Sequence, residues 1–339
     1  MSTDKKRQPT SFDVAKLAGV HRSAVSRAFT PGAAVAEETR KKIYAAASEL
    51  NYRVNSIARG LQSEHSGIVG ILASRLDTPV RAKQVKLLTQ PLIRDGFRPM
   101  LVTAETPADV GGLIDAMLGY NVAGVIVTSD SPPQRAIDEC HDAGVPVVLI
   151  NRAETGAWAD RVITDPEASG RLAFDMLRRC GASRMAVLQP ETQTFSVTGR
   201  AAAFAALATA RLGGCGRFLT ADQSYDAARR SIATAGHAAF DAVDGLFCAT
   251  DLLALGAVDA LRLDLGLSVP NDIQVVGFDD IEQASWGAYS LTTVRQDLEA
   301  QAQLALRLLK VRMAQNDAPA QCFAIDLKPI FRGTTQNVD

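Results

Sequence analysis

The 339-residue chain carries 36 Lys and Arg against 37 Asp and Glu, and 47% of it is hydrophobic. It is long enough for more than one domain and apolar enough for large cores. Its opening, MSTDKKRQPT, has no apolar stretch and no long apolar run follows, which argues against a signal peptide or membrane span and predicts a cytoplasmic protein.

The near-neutral total hides an uneven distribution. Residues 1–62 hold 11 Lys and Arg against 5 Asp and Glu, so the remainder holds 25 against 32. A basic head on an acidic body suits phosphate contacts made by the head alone. Residues 11–63 break into short apolar-periodic runs at Gly19 and at Thr30-Pro31-Gly32. The pattern predicts a first helix turning Phe12, Val14, Ala15 and Leu17 inward, a turn at Gly19-Val20, and a second helix from about Arg22 to Phe29. A helix-turn-helix of this kind lays its second helix in the DNA major groove. Arg22, Ser23 and Arg27 fall on the exposed face of that helix, with Val25 and Phe29 inward. An Arg can bond guanine O6 and N7 together, or contact phosphate alone.

From about Gly67, apolar strand candidates alternate with helical segments: residues 67–74, 97–104, 122–129 and 145–152, then 183–190, 216–221, 244–251 and 273–280. Arg81–Asp95, Ala168–Arg179 and Arg200–Arg211 read as intervening helices. Continuous apolar strands between helices predict parallel sheets covered on both faces, and two series predict two doubly wound lobes. Ligands in such sheets sit at the carboxyl ends of the strands. Asp77, Thr78 and Arg81 follow the first strand, Ser129 and Asp130 the third, and Asn151 and Arg152 the fourth. In the second series Arg200 begins a helix after Gln193–Thr198, while Asp251 and Asp279 end strands. Asp279, Asp280 and Gln296 suit either ligand or an interlobe hinge. Trp286 suits stacking on a ligand ring or capping the cleft.

Cys140, Cys180, Cys215, Cys248 and Cys322 form no C-x-x-C pair and read as small buried residues in a reducing cytoplasm rather than a disulfide or zinc framework. His21, His65, His141 and His237 show no ligand spacing, so no metal or other cofactor is expected. The Walker, dinucleotide-binding, zinc-protease and nucleophile-elbow motifs are all missing, so an enzyme is not expected. A solute receptor would share the two-lobed body and would need an export signal in place of the basic head.

Over nearly its whole length the sequence resembles the lactose-repressor (LacI/GalR) family of transcription factors. The resemblance rests on DVAKLAGV (13–20), AVSRAF (24–29), VAEETRKKIYAAASELNY (35–52), NSIARGL (55–61), TDLLALGAVDAL (250–261), VPNDIQVVGFDD (269–280), LTTVRQ (291–296) and FRGTT (331–335). It implies an α/β chain with an N-terminal helix-turn-helix head and a two-lobed body like a periplasmic binding protein. The head would span 1–62, with a hinge helix at about 55–61. The body, 63–339, would comprise lobe 1 (about 66–165 and 297–328) and lobe 2 (about 166–296 and 329–339), crossing near Asp165, Gln296 and Pro329.

The resemblance makes Arg22, Ser23 and Arg27 base readers, and implies a hinge that folds on DNA. There Leu61 would wedge a minor-groove base step while Asn55 and Arg59 make polar contacts. It makes Arg200 and Asp251 effector ligands, to an anionic or hydroxyl group and to sugar hydroxyls. The partners implied are a palindromic double-stranded operator, a second copy of the chain, and a small effector: a sugar, sugar acid or phosphate. The candidate effector set is thus Asp77, Arg81, Ser129, Arg152, Arg200, Asp251, Asp279 and Trp286. His21 replaces the family's usual Ser at the start of the second helix, and a weaker N-cap is expected. Thr250 replaces a common Asn, Ala203 a common Gly, and Val54 a Pro that often precedes the hinge. No leucine heptad follows FRGTT, so a dimer rather than a tetramer is expected.

Overall fold

The computed structural model describes residues 9–30, 32–53, 66–103, 110–128, 134–153 and 158–336. These form two compact units, divided between Ser66 and Gly67.

The first unit is a three-helix head: α1 (Ser11–Ala18), α2 (Arg22–Ala28) and α3 (Glu37–Glu49). The Asp13 carboxylate accepts the Thr10 N–H at 2.7 Å, one arm of a capping box. The left-handed Gly19 (φ 64°) ends α1 as Val20 N–H donates to Ala15 C=O at 3.0 Å, a reversal that a Cβ would oppose. His21 does cap α2: its Nδ1 accepts the Ser23 N–H at 3.3 Å. Val14, Ala15, Val25, Ala28, Ile43, Ala46 and Ala47 make the core. Phe12 and Leu17, expected inside, are 64% and 47% exposed. An eight-residue helix packed in a three-helix head buries a stripe only as wide as Val14 and Ala15, and its remaining apolar positions face water.

The second unit holds two six-stranded sheets. β1 (Ile68–Ala73), β2 (Arg98–Thr103), β3 (Gly124–Val127), β4 (Val147–Ile150), β5 (Asp160–Ile163) and β11 (Cys322–Ala324) form one, in the order 2-1-3-4-5-11. β6 (Met185–Pro190), β7 (Gly216–Thr220), β8 (Gly245–Cys248), β9 (Gln274–Asp279), β10 (Thr292–Gln296) and β12 (Leu327–Ile330) form the other, in the order 7-6-8-9-10-12. All pairings are parallel except the β10–β12 edge. This is the doubly wound arrangement the alternating runs imply.

The chain passes between lobes three times: after β5, after β10, and between Ala324 and Leu327. The last passage precedes the expected Pro329, because Leu327 already pairs with Gln296 in the second sheet. The helix after β10, Leu298–Ala314, packs in the first lobe, its Leu306, Leu308 and Leu309 meeting Val69, Ile71 and Ile126. Its Arg312 makes a buried two-pronged pair with Asp160, 2.8 and 2.9 Å, joining that helix to β5.

Two helices of the second lobe cross closely at a glycine. On α4 (Pro166–Arg179), a Cβ at Gly170 would lie 2.5 Å from Arg200 O and 2.6 Å from Phe204 N of α5 (Val197–Leu212). Gly170→Ala is expected to destabilise the body by about 1–3 kcal/mol through this overpacking. Thermal melting checks it, and an unchanged melting temperature would contradict the tight crossing.

Candidate functional site

The carboxyl ends of the strands meet in a cavity of about 210 Å³ between the two lobes. Ser74, Arg75, Thr78, Val80, Arg81, Gln84 and Asn151 line it from the first lobe. Thr194, Ser196, Arg200, Asp222, Gln223, Thr250, Asp279 and Ile281 line it from the second, with Gln296 and Leu298 at a crossing.

Arg200 is its electrostatic centre and is 3% exposed. Nε donates to Ala249 C=O at 2.7 Å, the guanidinium lies 3.8 Å above the centroid of the Phe278 ring, and Nη2 is 3.8 Å from Asp279 Oδ1. The ring and carbonyl fix the guanidinium plane, so its remaining N–H groups have few orientations to lose on binding. Asp279 ends β9 with φ 122° and Asp280 follows with φ 53°. This left-handed pair of non-glycine residues sends the two carboxylates to different partners. Asp280 accepts from Arg295 and Arg332, both at 2.6 Å, whereas Asp279 enters the cavity wall.

Gln296 joins the wall to the crossings. Its Nε2 donates to Asp279 Oδ1 at 2.7 Å, and its Oε1 accepts from Thr164 Oγ1 at 3.0 Å. Thr164 N–H in turn donates to Asn151 Oδ1 at 2.7 Å. One hydrogen-bonded chain thus runs from Asp279, the ion-pair partner of Arg200, through two of the crossing segments to the first lobe.

Of the candidate effector residues, the structure brings Arg81, Arg200 and Asp279 to the cavity. Arg81 Nη1 donates to Thr128 C=O and, at 2.5 Å, to Gln84 Oε1. Asp251, expected to meet ligand hydroxyls, is fully buried outside the lining. As the first residue of its helix (Asp251–Asp259) it folds back: Oδ2 accepts Ile281 N–H at 2.9 Å and Oδ1 accepts Thr293 Oγ1–H at 2.6 Å. These bonds tie the start of that helix to Ile281, just beyond β9, and to β10.

Asp77 faces solvent between the lining residues Arg75 and Thr78. Arg152 is buried outside the lining, one position beyond Asn151, which the turn at φ 53° places in it. Trp286 is half exposed on the second lobe, away from the lining. Ser129 lies outside the described residues, as do Asn55, Arg59 and Leu61. Thr194, Ser196, Asp222 and Gln223 were not singled out as effector ligands. They follow β6 and β7, so strand-end position is the signal that marks them in the sequence.

Burial raises both Asp251 and Asp279 above the ordinary carboxylate range of about 4, Asp251 to about 7 with further help from the Asp279 charge. Between about pH 4 and 7 the folded body therefore keeps protons that the unfolded chain has released. Stability contributed by this pair is full at the acid end and is lost as pH rises through that window. We expect Asp251→Asn to flatten the fall in melting temperature across it; an identical slope in the variant contradicts the assignment.

In the head, Arg22, Ser23 and Arg27 are all exposed on α2. Arg22 Nε donates to Ser11 Oγ at 3.2 Å, drawing that guanidinium toward the start of α1. Among the described residues no His, Cys, Asp and Glu group is placed to hold a metal ion, and no helix is long and apolar enough to cross a membrane.

Comparison with known proteins assigns both units. Residues 12–55 match the model for bacterial regulatory proteins of the lacI family, and residues 162–335 match the periplasmic binding protein-like domain. The transcriptional regulator MalR of Streptomyces coelicolor is 30% identical over 341 residues, 95% of each chain. The transcriptional repressor PurR of Serratia proteamaculans is 28% identical over 95% of this chain and 96% of its own. A lac repressor dimer bound to operator and the anti-inducer ONPF superposes with a TM-score of 0.84 and 25% identity, covering 98% of this chain and 100% of that one. The regulator CelR in complex with cellobiose gives 0.69 and 26%, covering 96% and 99%. With a helix-turn-helix head, a two-lobed ligand-binding fold and relatives aligned end to end, this chain belongs to the lacI family of DNA-binding transcriptional regulators.

Proposed function

We propose that the protein is a ligand-responsive repressor that binds a palindromic operator as a homodimer and is switched by a small sugar or sugar derivative in the interlobe cavity. The observation that carries this reading is the cavity itself. Its charged centre, Arg200 and Asp279, is hydrogen-bonded through Gln296 to Thr164 at another crossing, so a ligand there biases the lobe-to-lobe arrangement. Arg200 and Asp279 are the effector contacts, and Arg81 shapes the opposite wall. Asp222 faces Arg75 electrostatically, so the mouth carries opposite charges from the two lobes.

In the head, Arg22, Ser23 and Arg27 read bases, and the hinge residues Asn55, Arg59 and Leu61 engage the minor groove once operator is bound. Dimerisation is supported by an apolar surface on the second lobe. Leu263 and Trp286 are 69% and 50% exposed, and Arg262 Nη1 donates to Ala288 C=O at 2.9 Å, drawing their segments together. One head reads only a few base pairs, and a two-fold pair reads a palindrome.

A footprint on DNA upstream of the protein's own gene and its neighbours, at fixed salt, tests the reading. It predicts a protected dyad with half-sites about one helical turn apart. If neither the footprint nor selection from random sequence, with and without candidate ligands, yields a dyad, the operator reading is wrong.

A further inference from the structure

The lining of the cavity narrows the effector further, on the reading that the cavity is the effector site. At about 210 Å³ it lies below the roughly 300–1,000 Å³ of pockets for drug-sized ligands, a size that suits one six-carbon unit better than two joined sugar rings.

No described lining residue is aromatic. The neighbouring stretches of sequence 129–133 and 154–157 read SDSPP and ETGA and contain no aromatic residue either. The rings closest along the chain are otherwise committed: Phe278 is covered by the Arg200 guanidinium, and Trp158 stacks on His141 with 4.3 Å between centroids. Phe195 stands between two lining residues and is not itself part of the wall. A sugar ring offers an apolar C–H face that packs on an aromatic ring, and nothing here receives it in that way.

Polar groups instead converge from opposite walls. Asn151 uses its Oδ1 on Thr164 and keeps its amide N–H groups for the cavity from the first lobe. Asp279 commits Oδ1 to Gln296 and Arg200, and its Oδ2 remains for a ligand, with Thr194 and Ser196 on the same lobe. A molecule satisfying both walls presents hydroxyls toward each of them, and its C–H groups meet Val80, Leu252, Ile281 and Leu298. We propose that the effector is a single open-chain polyhydroxy compound of about six carbons, a hexitol or the corresponding hexonate, rather than a pyranoside or a disaccharide.

Isothermal titration of the full-length protein with a hexitol, a hexonate, a methyl hexopyranoside and a disaccharide tests this, with Asp279→Asn as the control for cavity binding. The expected result is that one of the open-chain compounds binds at least tenfold more tightly than both cyclic ones and weakens at least tenfold in Asp279→Asn. Preference between the two open-chain arms tells whether a carboxylate is recognised as well as the hydroxyls. Tighter binding of the pyranoside or disaccharide, weakened by Asp279→Asn, overturns the open-chain assignment and leaves the cavity as the effector site. Binding of none of the four by a protein that still protects its operator overturns this assignment, and binding unaffected by Asp279→Asn overturns the cavity reading with it.

Discussion

Replacing Arg200 with alanine is expected to abolish the effector response while leaving operator affinity in the absence of ligand within about twofold of wild type. The guanidinium is held by Ala249 C=O, the Phe278 ring and Asp279, all inside the second lobe. Truncating it removes charge-assisted bonds to the ligand worth about 1.5–3 kcal/mol each, and two such bonds exceed a hundredfold in affinity. It also leaves Asp279 buried without its counter-charge, which costs about 3–5 kcal/mol of stability when a buried pair is broken. The melting temperature of the body should therefore fall together with effector binding. Arg200→Lys restores the charge and tests function apart from folding. A melting temperature near wild type with effector affinity still lost is expected there, because lysine cannot reproduce the stacked, two-sided geometry. Unimpaired effector affinity in Arg200→Lys contradicts the role given to the guanidinium.

The second large effect belongs to the head. Arg22→Ala with Arg27→Ala should lower specific operator affinity by about 2–6 kcal/mol per half-site, since each bidentate arginine–guanine contact discriminates by about 1–3 kcal/mol. The two positions are well separated on α2 and share no hydrogen-bond partner among the described residues, so their effects should add. Each single variant is expected to relax the preference at one base pair of each half-site. Binding to random DNA should change far less. A loss spread evenly over all sequences, with a shallower salt dependence, makes these arginines phosphate contacts instead.

Much of this molecule was legible before its structure. Eight strands of the body announce themselves as continuous apolar runs, and β1, for example, lies within one residue at each end of the stretch 67–74. The four that do not, β5, β10, β11 and β12, belong to the segments leading into or out of the crossings. DRVI and LKPI mix charged and apolar residues because their burial comes from neighbouring strands rather than from a doubly covered position. The head illustrates the opposite failure. Phe12 and Leu17 are apolar yet exposed, since hydrophobic composition does not say which face of a short helix meets the other two.

At the site, Arg200 and Asp279 could be named because they are charged residues at strand or helix ends. Asp251 was equally prominent, and only coordinates reveal that both its oxygens are turned to Ile281 and Thr293. Asn151 and Arg152 differ by one position, and a single left-handed turn decides which of them reaches the cavity. The Gln296 relay joins residues 17 and 132 positions apart in sequence, a coupling that no local pattern encodes.

The central claim is that occupancy of the interlobe cavity changes affinity for operator DNA. Its most direct test is the operator dissociation constant measured at one fixed salt concentration with and without saturating effector, in the wild type and in Asp279→Asn. At least a tenfold change in the wild type is predicted, in the range of allosteric couplings of about 1–3 kcal/mol, and little or none in the variant. A ligand that demonstrably fills the cavity yet leaves operator affinity unchanged would contradict the account.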